Sequence, residues 1–251
     1  MGLPCAQSRT GQGTPFSAAA DHRQKRLENL NNFLLAAPVL LFSMVAHEYA
    51  HGYAALKQGD TTAQQLGRLT WNPIKHIDPF LTILMPVMLY WASNGQFIFG
   101  GAKPVPVNPS NYRNYRRGDI IVSLAGIVVN LVLFVIFTGL FAAVGLLAQA
   151  APVLAPTLDI LQRMMYYGLF LNLTLAFFNL IPIPPLDGSH VFYHLLPPGA
   201  GLQYRQLQRF GFLPIMVLSF MLPGVIHFFL WPAYQLRDVA LMIVGPMRVQ
   251  L

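Results

Sequence analysis

The chain has 251 residues, 55% of them hydrophobic and only 10% charged, with a net charge of +7 and a mean hydropathy of +0.49. A soluble domain carries roughly 25% charged residues. The composition therefore excludes a water-soluble enzyme, a nucleic-acid binder and a disordered chain, and points to an integral membrane protein.

Residues 1–30 are polar, lack an apolar signal-peptide core, and read as a flexible tail ending in a basic collar of Arg23, Lys25 and Arg26. About six apolar helical segments follow, giving an all-α polytopic fold. The first runs from about Asn32 to Lys57. A shorter one, Pro79–Ala92, contains Pro86. The Gly/Pro-rich stretch after it, through Gly101-Ala-Lys-Pro-Val-Pro-Val-Asn-Pro109, is no regular helix, because its prolines lack N–H groups. The third, Ile120 to about Gln149, is long enough to span a bilayer, which takes about 20 apolar residues. The fourth, Met164–Leu180, ends at Ile181-Pro-Ile-Pro-Pro-Leu-Asp-Gly188. The last two, Phe210–Leu222 and Gly224–Val244, are separated by Pro223-Gly224. The excess of Lys and Arg fits cytoplasmic loops and anionic lipid headgroups in the bilayer rather than nucleic acid. With Cys5 as the single cysteine, no internal disulfide forms.

The first segment contains His47-Glu-Tyr-Ala-His51. Residues at i and i+4 share a helix face, so both imidazoles can reach one cation. Glu48, one residue on, is placed to take a proton from metal-held water rather than to ligate. With 7 His and 2 Glu in the chain, chance produces this pattern on the order of one or two times in a thousand. A catalytic zinc takes three protein ligands and keeps its fourth position open. Asp187, at a proline-made break in an apolar run, is the candidate third ligand; it can also serve as the N-cap of a short following helix. Asn130 and Asn179, polar within apolar segments, either orient a ligand, bind substrate backbone or bridge helices. His190 and His194 form a second i, i+4 pair without a neighbouring glutamate. They read as supporting or interfacial groups, and His76 and His227 as structural.

These motifs resemble those of the site-2 protease family of intramembrane zinc metallopeptidases, in its compact bacterial or archaeal branch without PDZ or CBS domains. The resemblance rests on His47–His51, Asn179–Gly188, Gly67-Arg-Leu-Thr-Trp-Asn-Pro-Ile-Lys-His-Ile-Asp-Pro79, Gly101–Pro109 and Leu124-Ala-Gly-Ile-Val-Val-Asn130. Ile127 stands where the family often has proline. The resemblance implies one Zn2+ per chain on His47, His51 and Asp187, Glu48 as general base, and a transmembrane protein as substrate. It also implies a short β-like re-entrant hairpin at 97–108, where Gly101, Pro104 and Val105 would engage an extended substrate, although a tight connecting loop fits the same residues. On this reading residues 31–251 form one metallopeptidase domain, with a catalytic core at about 32–196 and C-terminal helices at 208–246.

Depth adds a constraint. His47 and His51 lie late on the first segment and Asp187 follows the fourth, so these two must run the same way. Either 79–92 dips in and returns, or both motifs sit near mid-bilayer. The Lys/Arg distribution satisfies the positive-inside tendency in either case. The expected location is the cell membrane, with the metal toward its cytoplasmic half; oligomeric state is left open. The rival class is non-catalytic, a divalent-metal transporter or an inactive helix-binding relative. A transporter would spread ionisable residues along several helices, whereas here they concentrate in one ligand set plus a base.

Overall fold

A backbone removed from water must satisfy its own N–H and C=O groups, so long apolar runs fold as helices. The computed structural model describes residues 15–92 and 100–249. Its helices are α1 (Pro15–Gln58), α2 (Thr62–Gln65), α3 (Met85–Ala92), α4 (Tyr115–Ala150), α5 (Ala155–Asn179), α6 (Gly188–Tyr193), α7 (Pro198–Arg205), α8 (Leu213–Met221) and α9 (Pro223–Val244). Helix α1 begins at Pro15, within the polar stretch 1–30; residues 1–14 lie outside the described residues.

The all-helical expectation holds among the described residues, where fewer clear candidate spans are found than the six apolar segments expected. Among the described residues, two helices are long and apolar enough to cross, Arg23–Gln58 and Tyr115–Ala150, and α8 with α9 makes a third only if that pair, bent by 97°, is one span. The bend falls where the sequence changes from Leu222 to Pro223-Gly224, whose proline cannot donate to the preceding turn. Along α4, Val128, Val132, Val135 and Ile136 present an exposed apolar stripe at helical spacing. Such a stripe suits lipid rather than water.

Helices α1, α4 and α5 pack pairwise into the framework that carries the site. Helix α4 runs antiparallel to both neighbours: His51 meets Val122 and His47 meets Asn130 on one side, while Gln162 of α5 donates to Phe141 O on the other. Leu169, Leu173 and Ala176 of α5 are fully buried. Where lipid competes with packing there is no hydrophobic drive between helices, so close contact and hydrogen bonds hold them. Asn172 supplies one such bond, donating to Ser43 Oγ of α1 at 2.9 Å, while Ser43 itself donates to Val39 O.

The segment after α1 bears on the depth constraint. Pro79–Ala92 is a π-helical turn continued by α3, too short to cross. The chain leaves at Leu81 and is back by Gly101, whose N–H donates to Leu81 O at 3.0 Å and whose carbonyl accepts from Thr82 Oγ1 at 2.7 Å. Gly101 thus lies beside Leu81, and α1 and α5, both antiparallel to α4, run parallel. No strand occurs among the described residues, which corrects the expected hairpin at 97–108. Residues 97–99 lie outside the described residues, and 100–108 is an irregular extended strap.

Candidate metal centre

Helix geometry puts His47 and His51 on the face of α1 turned toward α4. Their rings meet edge to face, with centroids 4.6 Å apart and the two Nε2 atoms 3.0 Å apart. Gly126 of α4 makes the approach possible: a Cβ there would lie 2.5–2.7 Å from atoms of both rings. The outer nitrogens are engaged elsewhere. His51 Nδ1 donates to Val122 O at 2.7 Å, and His47 Nδ1 lies 3.1 Å from the side-chain amide of Asn130. Asn130 is fully buried and its Oδ1 has no partner. With the amide turned so that Oδ1 faces the ring, one contact satisfies both the oxygen and a protonated Nδ1.

Asp187 arrives from α5 by way of the proline-rich turn. Gly188 lets that turn close tightly, since a Cβ there would stand 2.2 Å from Leu180 O. Asp187 occupies the N-cap position of α6, yet its side chain makes no capping hydrogen bond. Its Oδ2 instead lies 3.2 Å from His47 Nε2 and 3.3 Å from His51 Nε2. The capping alternative therefore falls.

These three residues each offer one ligand atom, all within 4.8 Å of one another. With both Nδ1 atoms acting as donors, two imidazole lone pairs converge on one carboxylate oxygen. That oxygen is buried and has no hydrogen-bond partner. A cation resolves this repulsion, and the two-nitrogen, one-oxygen donor set suits zinc. The residues present fit the metal.

Glu48 points to a different side of α1. Its Oε2 accepts from Val105 N–H at 2.8 Å. The strap that carries this donor is held along its length. Lys103 N–H donates to His76 O, Arg68 donates to the carbonyls of Lys103 and Pro104, and Asn108 N–H donates to Asp60 Oδ2. The N–H groups of residues 101, 103 and 105 are thus committed inside the protein, while Pro104 and Pro106 on the alternate edge have none to offer. Proline at alternate positions blunts an edge against strand addition. Of the residues implied for substrate binding, Gly101 is spent on the turn to Leu81 and Thr82, and Pro104 on Arg68.

Asn179 does not reach the centre; its amide donates back to Leu175 O within α5. His190 and His194 bind Asp119 of α4, His190 Nδ1 at 3.2 Å from Oδ1 and His194 Nε2 at 2.8 Å from Oδ2. His76 is buried, with Nε2 2.9 Å from Thr70 O and Nδ1 without a hydrogen-bond partner. Sequence reasoning missed Asp119, Asp60 and Asn172. Asn172, polar within an apolar run, carried the same signal as Asn130; the two aspartates sit at segment ends, where carboxylates are ordinary.

A family profile described as Peptidase family M50 matches residues 144–222. YwhC of Bacillus subtilis, named as a candidate zinc metalloprotease, is 42% identical over 193 residues, which cover 77% of this chain and 82% of that protein. Rip2 of Mycolicibacterium smegmatis, named likewise, is 32% identical over 209 residues, covering 83% and 75%. Rip2 of Mycobacterium tuberculosis is 31% identical over 208 residues, covering 83% and 74%. No solved structure matches the chain significantly. At this identity and coverage, the chain belongs to peptidase family M50, the site-2 proteases.

Proposed function

We propose that the protein is an intramembrane zinc endopeptidase that hydrolyses peptide bonds in or beside transmembrane segments of other membrane proteins. The observation that carries this is the convergence of His47 Nε2, His51 Nε2 and Asp187 Oδ2 on one point, beside a glutamate that is not part of the set. Residues 31–251 act as one metallopeptidase unit.

Zinc, when bound, acidifies water and polarises a carbonyl oxygen. His47, His51 and Asp187 would hold it. Val122 O keeps His51 in the tautomer whose Nε2 lone pair faces inward, and Asn130 does the same for His47; such supporting bonds set ring orientation and ligand basicity. Glu48 is the general base. With Oε2 taken up by Val105 N–H, Oε1 is the oxygen left to accept a proton from the attacking water and return it to the leaving amine.

A helical substrate has its carbonyls occupied and must unwind before it can react. The strap offers it few backbone donors, so opening by strand addition at 101–106 is not part of this mechanism. The protein belongs in the cell membrane, its centre toward the cytoplasmic half. His51 is six residues before Lys57, about 9 Å of helix rise, and Arg113, Arg116 and Arg117 cluster at the same end, as cytoplasmic ends do.

The test is metal content and cleavage of a transmembrane peptide by purified protein in detergent. The parent should carry about one zinc and cleave. Glu48→Gln should keep the zinc and lose activity by about 10²–10⁴-fold, the usual contribution of a positioned general base. A Glu48→Gln protein as active as the parent contradicts the mechanism.

A further inference from the structure

We infer that the strap is a positioning element for the general base, and that the Val105 backbone N–H selects which oxygen of Glu48 receives the proton. This rests on the assignment of Glu48 above. A carboxylate on a helix rotates about its terminal bond with little resistance. An N–H donor at 2.8 Å engages Oε2 and leaves Oε1 as the oxygen outside that bond. No side chain is required of the donor, only a backbone atom held in place.

The strap is built to hold that atom still. Gly101 N–H reaches Leu81 O, Lys103 N–H reaches His76 O at 2.8 Å, and Val105 N–H reaches Glu48, one bond at every second residue. From 101 to 105 these bonds follow the alternation of an extended chain, in which every second amide faces one way. The even positions 104 and 106 are prolines, which stiffen the strap without removing any inward donor. The Val105 side chain is 5% exposed, so it also anchors by burial. Beyond it, Asp60 fixes the far end: it accepts from Asn108 N–H at 2.7 Å and Asn111 Nδ2 at 2.8 Å, and from Thr62 N–H at 3.1 Å. The strap is therefore tied on both sides of the bond to Glu48.

Proline at 105 tests the idea, because it removes the N–H while keeping an extended backbone, and Val105→Ala keeps the donor while trimming the side chain. Zinc content, kcat and KM are measured for the parent and both variants on one transmembrane peptide. Val105→Pro should hold about one zinc and keep KM within about twofold while kcat falls roughly 10–100-fold, a part of the general-base contribution. Val105→Ala, which keeps the donor, should lose at least about tenfold less in kcat than Val105→Pro, and equal losses in the two variants overturn the inference. A Val105→Pro kcat within twofold of the parent overturns the inference, and so does a rise in kcat, which would make the contact an obstruction. An inactive parent would instead defeat the functional reading itself.

A second measurement covers the case in which Val105→Pro loses its metal. Amide exchange of valine-labelled and lysine-labelled protein is followed by nuclear magnetic resonance in the parent and in Glu48→Ala. Loss of the acceptor should speed Val105 exchange at least tenfold and leave Lys103, bonded to His76 O, unchanged. Equal protection of Val105 in both proteins overturns the inference without reference to activity.

Discussion

Two clusters, one joining α1 to the start of α6 and the other joining α6 to α4, contain the same three side chains, an aspartate and two histidines at i, i+4, yet only one gathers its ligand atoms at a single point. At Asp187 both histidine Nε2 atoms approach one oxygen, Oδ2, and stand 3.0 Å from each other. At Asp119 the histidines divide the carboxylate, His190 on Oδ1 and His194 on Oδ2. The first arrangement aims lone pairs at a point and leaves an oxygen without a donor. The second pairs each oxygen with its own ring nitrogen and leaves nothing over. Composition is the same in both; convergence separates a cation site from a clamp.

The clamp has its own task. Asp119 precedes Val122 by one turn of α4, and His190 follows Asp187 by three residues. Tying Asp119 to His190 and His194 therefore fixes α6 against the turn of α4 that orients His51. Arg116 adds to this, donating to His194 O at 3.0 Å.

The largest effects should fall on the convergent cluster. His51→Ala or Asp187→Ala should lose both zinc and peptide cleavage, read by metal analysis and gel assay. Zinc retained at one equivalent in either variant would break the distinction between the clusters. Next comes Asp119→Ala, which leaves two histidines facing a buried void. It should keep about one zinc but destabilise the protein by about 1–3 kcal/mol, the usual cost of buried partners left unpaired, measured by denaturation in detergent. Zinc loss there without destabilisation would show the two clusters acting as one.

Within the clamp, His194→Ala should cost more stability than His190→Ala. The His194 side chain is 6% exposed and 2.8 Å from its oxygen, against 30% and 3.2 Å for His190. Equal losses would mean that solvent exposure does not grade the clamp.

The smallest effect belongs to a third carboxylate, Asp60, which is neither point nor clamp but anchor. Burial pushes its carboxyl upward, but the N–H and O–H donors of Asn108, Thr62 and Asn111 outweigh burial and hold it below the usual range. A folded pKa below the unfolded one stabilises the fold above the unfolded value, about 3.9, and that contribution is lost as pH falls through the folded value. The stability difference between the parent and Asp60→Asn should thus be present at pH 7 and shrink below about pH 4. A difference independent of pH would remove the anchor's charge from the account.

Much of the centre was legible because its signals are local. His47 and His51 announce a shared helix face by spacing alone, and the prolines before Asp187 mark a break where a carboxylate has reason to sit. Asn130 was legible as a polar residue in an apolar run, though not its partner. What was illegible depends on tertiary approach. Nothing in Asp119 or His194 foretells that α6 folds back on the start of α4. Likewise nothing in Val105 marks its amide as the one that meets Glu48. Apolar composition marks a segment without measuring its helical length: Pro79–Ala92 is apolar but short, and α8 breaks at Pro223 after nine residues. The β-like hairpin failed for a related reason, since the extended pattern of 100–108 is met by carbonyls of separate segments and by a side chain rather than by a partner strand.

X-ray absorption at the zinc edge of the purified protein, repeated on His47→Ala, tests the central claim most directly. The account predicts one zinc per chain with two imidazole nitrogens and carboxylate or water oxygens in the parent, and no bound zinc in the variant. A parent spectrum without imidazole scattering, or an unchanged spectrum from His47→Ala, would contradict it.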